Sequence, residues 1–219
     1  MALPEHFVWT RYGTESGEPV GSILARKEKE RQSCGGKFLW GVGNSVAPSV
    51  RRLLSLHGKD PCVVFSPMLA TPRAIDVVPS DVVAWQSACG MDGQEWEIPP
   101  GVLVTSRGSA AGIGKSRHYA LVCHRTEVLR ANASGERFAI ADLVNLTTSN
   151  PVGHSQVTAV VRCTDRSPDG PYVAAVIATL VFPYVVELSD PIAFDPAAPA
   201  PVHRTTATRP KQLALEMIC

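Results

Sequence analysis

The chain has 219 residues, 45% of them hydrophobic and 19% charged, a balance that excludes disorder along its whole length and suits one sizeable core. Its formal net charge of +1 supplies no global field, so a nucleic-acid partner must be met by a local basic patch. No apolar run approaches the roughly 20 residues of a membrane-spanning helix, and the longest, Tyr172 to Leu188, is interrupted by Pro183 and reads as strands.

In chain order, HFVWTRY (6–12) is aromatic and β-branched and predicts a strand that ends in the turn-rich GTESGEP. Pro19 then opens VGSILARKEKERQSCGG, a run of helix formers closed by Gly35 and Gly36. The alternating charges of RKEKER predict an exposed, ion-paired helix face. KFLWGV (37–42) is a second strand. After Gly43-Asn44-Ser45, Val46, Val50, Leu53, Leu54 and His57 recur near helical spacing, with Asn44 or Ser45 as cap and Gly58 as stop. PCVVFSPML (61–69) and AIDVVPSDVVAW (74–85) predict strands, the second broken at Pro79-Ser80, and residues 86–100 predict a loop. Beyond Val102 nearly all is strand: VLVTS, HYALVCHRTEVL, RFAIADLV, SQVTAVVRCT and YVAAVIATLVF. Residues 1–195 form a single domain in this reading, followed by a Pro/Ala-rich tail, 196–219, with KQLALEMI as a docking helix. Helices confined to the first third and strands thereafter argue α+β: a small open β-barrel or curved mixed sheet carrying two helices.

The six cysteines are widely spaced and never in C-x-x-C, and the N-terminus lacks a basic segment followed by an apolar run. Reduced, mostly buried thiols and a cytoplasmic location are therefore expected. The histidines show no metal-ligand spacing, and no cofactor motif or G-x-S-x-G elbow is present, so neither metal nor cofactor is expected. Cys123 and His124 are adjacent and would point to opposite faces of a strand, which prevents their acting as a nucleophile and base pair.

Ser109 to Ser116, SAAGIGKS, resembles a phosphate loop, but serine holds the place of the first glycine and a strand pattern follows where a helix is required. The segment keeps a charge signal. Arg107, Lys115, Arg117, Arg125 and Arg130 face the single acid Glu127, with His118 and His124 among them, and such a patch can follow a phosphate backbone. In FLWGVGNS, Trp40 offers a stacking face, Gly41 and Gly43 allow close approach, and Asn44 offers both a donor and an acceptor to a base edge.

FLWGVGNSVAPSVRRLL, followed by GKDPCVVFSPM and PRAIDVVPSDVVAW, resembles the EVE-type members of the PUA-like superfamily over residues 6–90. Trp40-Gly41-Val42-Gly43-Asn44 matches the family's G-V-x-N element, with glycine where arginine is frequent, and Phe65-Ser66 is a reduced form of its F-Y-H-S turn. The resemblance implies a small open barrel and a non-catalytic pocket for a nucleobase, often modified, flipped out of DNA or RNA. On that reading Trp9, Tyr12, Trp40, Gly41, Asn44 and Ser66 would contact the base, and Arg11, Lys115, Arg117 and His118 the phosphates. Two other readings stay open: an enzyme acting on a small phosphorylated or nucleotide-like metabolite, with His118 as acid or base, and a structural module that adds strand edges to a partner, a homodimer included.

Overall fold

The computed structural model describes residues 4–12, 20–57, 61–67, 82–90, 92–97, 106–107, 118–128, 139–140, 142–153, 156–165 and 172–193. In chain order these form β1 (His6–Tyr12), α1 (Val20–Ser33), β2 (Lys37–Val42), α2 (Val46–His57), β3 (Cys62–Pro67), β4 (Val82–Gly90), β5 (Glu95–Glu97), β6 (Ser106–Arg107), β7 (His118–Val128), β8 (Ala139–Ile140), β9 (Asp142–Asn145), β10 (Thr158–Asp165), β11 (Tyr172–Val173) and β12 (Val176–Ala193). The α+β expectation holds, as do both helices and the first three strands. The tail, the Pro79-Ser80 break and the SAAGIGKS loop lie outside the described residues.

Ten strands make one mixed sheet with the path β2-β7-β12-β3-β1-β10-β9, to which β4, β5 and β6 are attached through β12. The path runs from one edge to another, so the described strands do not close into a barrel. Val8 to Tyr12 of β1 pair in parallel with Val63 to Pro67 of β3, and the remaining ladders are antiparallel. β12 is the spine. Along one edge Val176–Thr179 pair with β3 and Val186–Ala193 with β4, while the other edge pairs with β7.

Two expectations are corrected. Residues 86–90, read as loop because of their small and polar composition, continue β4, since Val186 to Ser189 of β12 supply a ladder for them; Glu95–Glu97 then return as β5. Pro183, read as an interruption, lies inside β12: residues 181–184 bulge out opposite Val122 alone, so the missing proline N–H removes no ladder bond.

Strand alternation sorts the core onto the two faces of the sheet. One face carries Val8, Tyr12, Phe38, Val63, Phe65, Leu121 and Cys123, and both helices lie there, α2 through Val46, Val50 and Leu53 and α1 with Leu24 against the same cluster. The other face carries Phe7, Trp9, Val64, Val161 and Ile177, with Ile140, Leu143, Val152 and Ala174 in the same cluster. α1 ends as its glycines require: Gly35 and Gly36 have φ of 58° and 89°, and the Gly36 N–H returns to the Arg31 carbonyl at 2.8 Å.

The α1 cleft as candidate functional site

The buried stripe of α1 is Ile23, Lys27 and Glu30, continued by Cys34 just past the helix, one face at intervals of four, three and four residues. RKEKER is therefore only partly the exposed face expected of it. Lys29 and Gln32 face solvent, whereas Lys27 and Glu30 lie against the sheet. Lys27 Nζ donates to both Glu30 carboxylate oxygens at 2.9 Å and to the Leu39 carbonyl of β2 at 2.6 Å. Loss of hydration lowers the Lys27 pKa from its ordinary value, and the Glu30 charge opposes that shift. Arg26 approaches Glu30 at 3.4 Å from the next turn.

Beside this pair, α1 and the sheet leave a cleft of 320 Å³. Leu24 and Lys27 line its helical side, and Phe38, Trp40, Phe65 and Val128 its sheet side. Strand alternation places Phe38 and Trp40 on the same face of β2, and Phe65 of β3, linked to β2 through the β12 and β7 ladders, shares their cluster. Trp40 meets Phe65 edge to face, with centroids 4.8 Å apart and planes at 77°, and Phe38 meets the same ring at 6.2 Å. Edge-to-face contact leaves the rest of the half-buried indole turned toward the cleft. The polar members of the lining, besides Lys27, are Thr126 and Glu28, and Arg31 bonds the Glu28 carboxylate at 2.7 and 2.8 Å.

The base-contacting set expected from the sequence is divided by the sheet. Trp9 is fully buried on the face opposite the helices, its Nε1–H donating to Ser66 Oγ at 2.9 Å, and Arg11 lies over its ring with Cζ 5.2 Å from the centroid. The Trp9 N–H is thus engaged by Ser66 Oγ, and both residues are buried on the sheet face away from the cleft. Tyr12 is buried in the helix-side core, where loss of hydration raises its phenol pKa. Trp40 alone of that set lines the cleft. Gly41 is half-buried opposite Ala120, and Asn44 is exposed in the turn before α2. Of the phosphate set, Arg11 lies on the Trp9 face, Lys115 and Arg117 are outside the described residues, and His118 opens β7 opposite Leu188. Burial lowers the His118 pKa, favouring the neutral imidazole, and His118 does not line the cleft.

No protein-family model, curated protein or solved structure matches the chain.

Among the described residues no group of His, Cys, Asp and Glu is placed to hold a metal ion. None of the five described cysteines is disulfide-bonded, and burial pushes the Cys62 thiol up to about 12 and Cys123 further in the same direction, so neither is a thiolate near neutrality. No helix among the described residues is long and apolar enough to cross a membrane. The cleft therefore offers aromatic faces, apolar walls and a paired ammonium. Sequence reasoning found Trp40 but missed Leu24, Lys27 and Phe65. The spacing of Ile23, Lys27, Glu30 and Cys34 on a helical wheel was the available signal for Lys27; nothing local marks Phe65, because its place under Trp40 depends on strand order.

Proposed function

We propose that the chain is a non-enzymatic recognition module that holds a nucleobase in the α1 cleft, with the Trp40 indole as the stacking face. The observation that carries this reading is the Trp40–Phe65 pair lining an open, mainly apolar cleft of 320 Å³, within the size range of small-ligand sites, about 300–1,000 Å³. Flat heteroaromatic rings gain most from such walls. Thr126 and Glu28, at the polar end of the lining, are the groups able to read a base edge. Lys29 on α1 and Arg125 at the bulge of β7 are exposed cations one residue from Glu28 and Thr126, suited to the phosphates of a base delivered on DNA or RNA. The mixed sheet with two helices on one face meets the coarser α+β expectation, and the PUA-like assignment is part of the proposal. A cytoplasmic setting fits the five described cysteines, none in a disulfide and four of them buried.

The test is tryptophan fluorescence during titration with short single- and double-stranded oligonucleotides, plain and base-modified, at low and moderate salt, using the parent and Trp40→Phe. Saturable quenching that requires Trp40 and weakens with salt is the expected result. No Trp40-dependent change with any oligonucleotide would overturn it. The apolar lining also favours a second reading, a free aromatic metabolite, which would quench Trp40 with little dependence on salt.

A further inference from the structure

Lys27 is the one amine-bearing side chain that lines the cleft among the described residues. Lys27 lines the space next to Trp40 and Phe38, its side chain is 9% exposed, and its Nζ is held 2.9 Å from each oxygen of Glu30, a carboxylate whose own side chain is 1% exposed. An exposed lysine near neutrality is an ammonium and a poor nucleophile; here the charged form has lost its water, and a proton acceptor stands in contact with it. The arrangement pairs an amine with its acid–base partner beside walls that fit a flat ring.

We infer that Lys27 is a carbonyl-reactive site that takes an aromatic aldehyde as a reversible imine, the ring lying against Trp40 and the formyl carbon reaching Nζ. The ammonium first passes a proton to Glu30. The neutral amine adds to the carbonyl carbon, forming the C–N bond, and one of its protons moves to the former carbonyl oxygen to give a carbinolamine. Glu30 then returns its proton to that hydroxyl, water leaves, and a protonated imine remains beside the Glu30 carboxylate. No oxidant or reductant is consumed, and hydrolysis reverses every step. Nζ exchanges its contact with the Leu39 carbonyl for the new bond, while the one remaining N–H keeps Glu30 as acceptor. Burial lowers the Lys27 pKa, which makes proton release to Glu30 easier than from an exposed lysine. This inference shares the cleft with the proposed function but does not depend on a nucleobase: base binding is read by unlabelled oligonucleotides, imine formation by covalent mass.

The experiment uses the full chain with naphthaldehyde at neutral pH, trapping by cyanoborohydride and peptide mapping by mass spectrometry, with exposed Lys29 as internal control. A reduced adduct on Lys27 at short times, with Lys29 unmodified, is the expected result, together with its loss in Leu24→Trp, which fills the cleft and leaves the amine in place. Adducts on Lys29 with Lys27 unmodified in the folded parent would overturn the inference. So would undiminished labelling of Lys27 in folded Leu24→Trp, since the aldehyde would then be reaching the amine by some route other than the cleft. Lys27→Arg, which preserves the positive charge, should carry no adduct at residue 27 and leave the labelling of Lys29 unchanged.

Discussion

Lys27→Met removes the ammonium but keeps most of the stem, so its effect isolates the buried charge. The Glu30 side chain, 1% exposed, would keep Arg26 at 3.4 Å and lose both of its 2.9 Å bonds to Nζ, while the Leu39 carbonyl would lose its 2.6 Å donor. Breaking a buried ion pair by removing one partner costs about 3–5 kcal/mol. In a domain of this size each kcal/mol lowers Tm by about 2–4 °C, so circular dichroism should show a fall of roughly 6–20 °C. The pair itself is worth far less than that loss, because both ions surrendered their water to form it. Lys27→Met with Glu30→Leu therefore should recover most of the stability, and a double-mutant cycle should show strong coupling. A single Lys27→Met variant that melts within about 2 °C of the parent would refute the reasoning, since it would mean Glu30 finds water or another donor at little cost.

Trp9→Phe and Ser66→Ala should each cost about 1–3 kcal/mol in urea denaturation, and the double variant less than their sum, because either change alone strips a buried partner of its 2.9 Å bond; strict additivity would disprove the coupling. Gly36→Ala should cost more than about 1 kcal/mol, since φ is +89° and a new Cβ would lie 3.0 Å from His124 Nε2; an unchanged urea midpoint would show that the turn relaxes freely. Burial lowers the pKa values of His118 and His124 below the ordinary 6.5, so the unfolded chain binds more protons in the window below 6.5. Stability should accordingly fall as pH drops through that window, and His118→Asn with His124→Asn should flatten the fall; an equal slope in the variant would assign it to other groups.

Most element positions were legible because they rest on local rules. The glycines after α1, the turn before α2 and the alternation of β1 each act over a few residues. Faces were harder. Within β1 the parity of Trp9 and Tyr12 already assigns them to opposite faces, so a single pocket using both was excluded by alternation alone. Which of them shares a face with Trp40 is decided by the ladders that link β1 to β2 through β3, β12 and β7, and such registers join residues far apart in sequence. RKEKER misled for a different reason: charge alternation describes the whole circumference of a helix, whereas burial selects one stripe, and the charges at 27 and 30 fall on it. Pro183 was read by its chemistry and not by its setting, since a bulge removes the requirement for an N–H that proline cannot meet.

The same lysine bears on the alternative in which the sheet offers an edge to a partner. Among the described strands β2 ends the path of the sheet, with β7 as its one neighbour. Its groups facing away from β7 would template another strand if they stood open. Two are taken from within: the Lys37 N–H donates to the Cys34 carbonyl at 3.0 Å, and the Leu39 carbonyl accepts from Lys27. α1 thus spends its buried cation on capping the edge beside the cleft, and a strand arriving there must first break that bond and expose Glu30. The edge is therefore the costly place to add a partner and the cleft the inexpensive one. This ordering has a consequence for Lys27→Met: freeing the Leu39 carbonyl should make β2 competent to pair, so self-association should rise with concentration in that variant and not in Glu30→Gln, which retains the lysine. Sedimentation velocity separates them, and equal behaviour of the two variants would remove the capping role from Lys27.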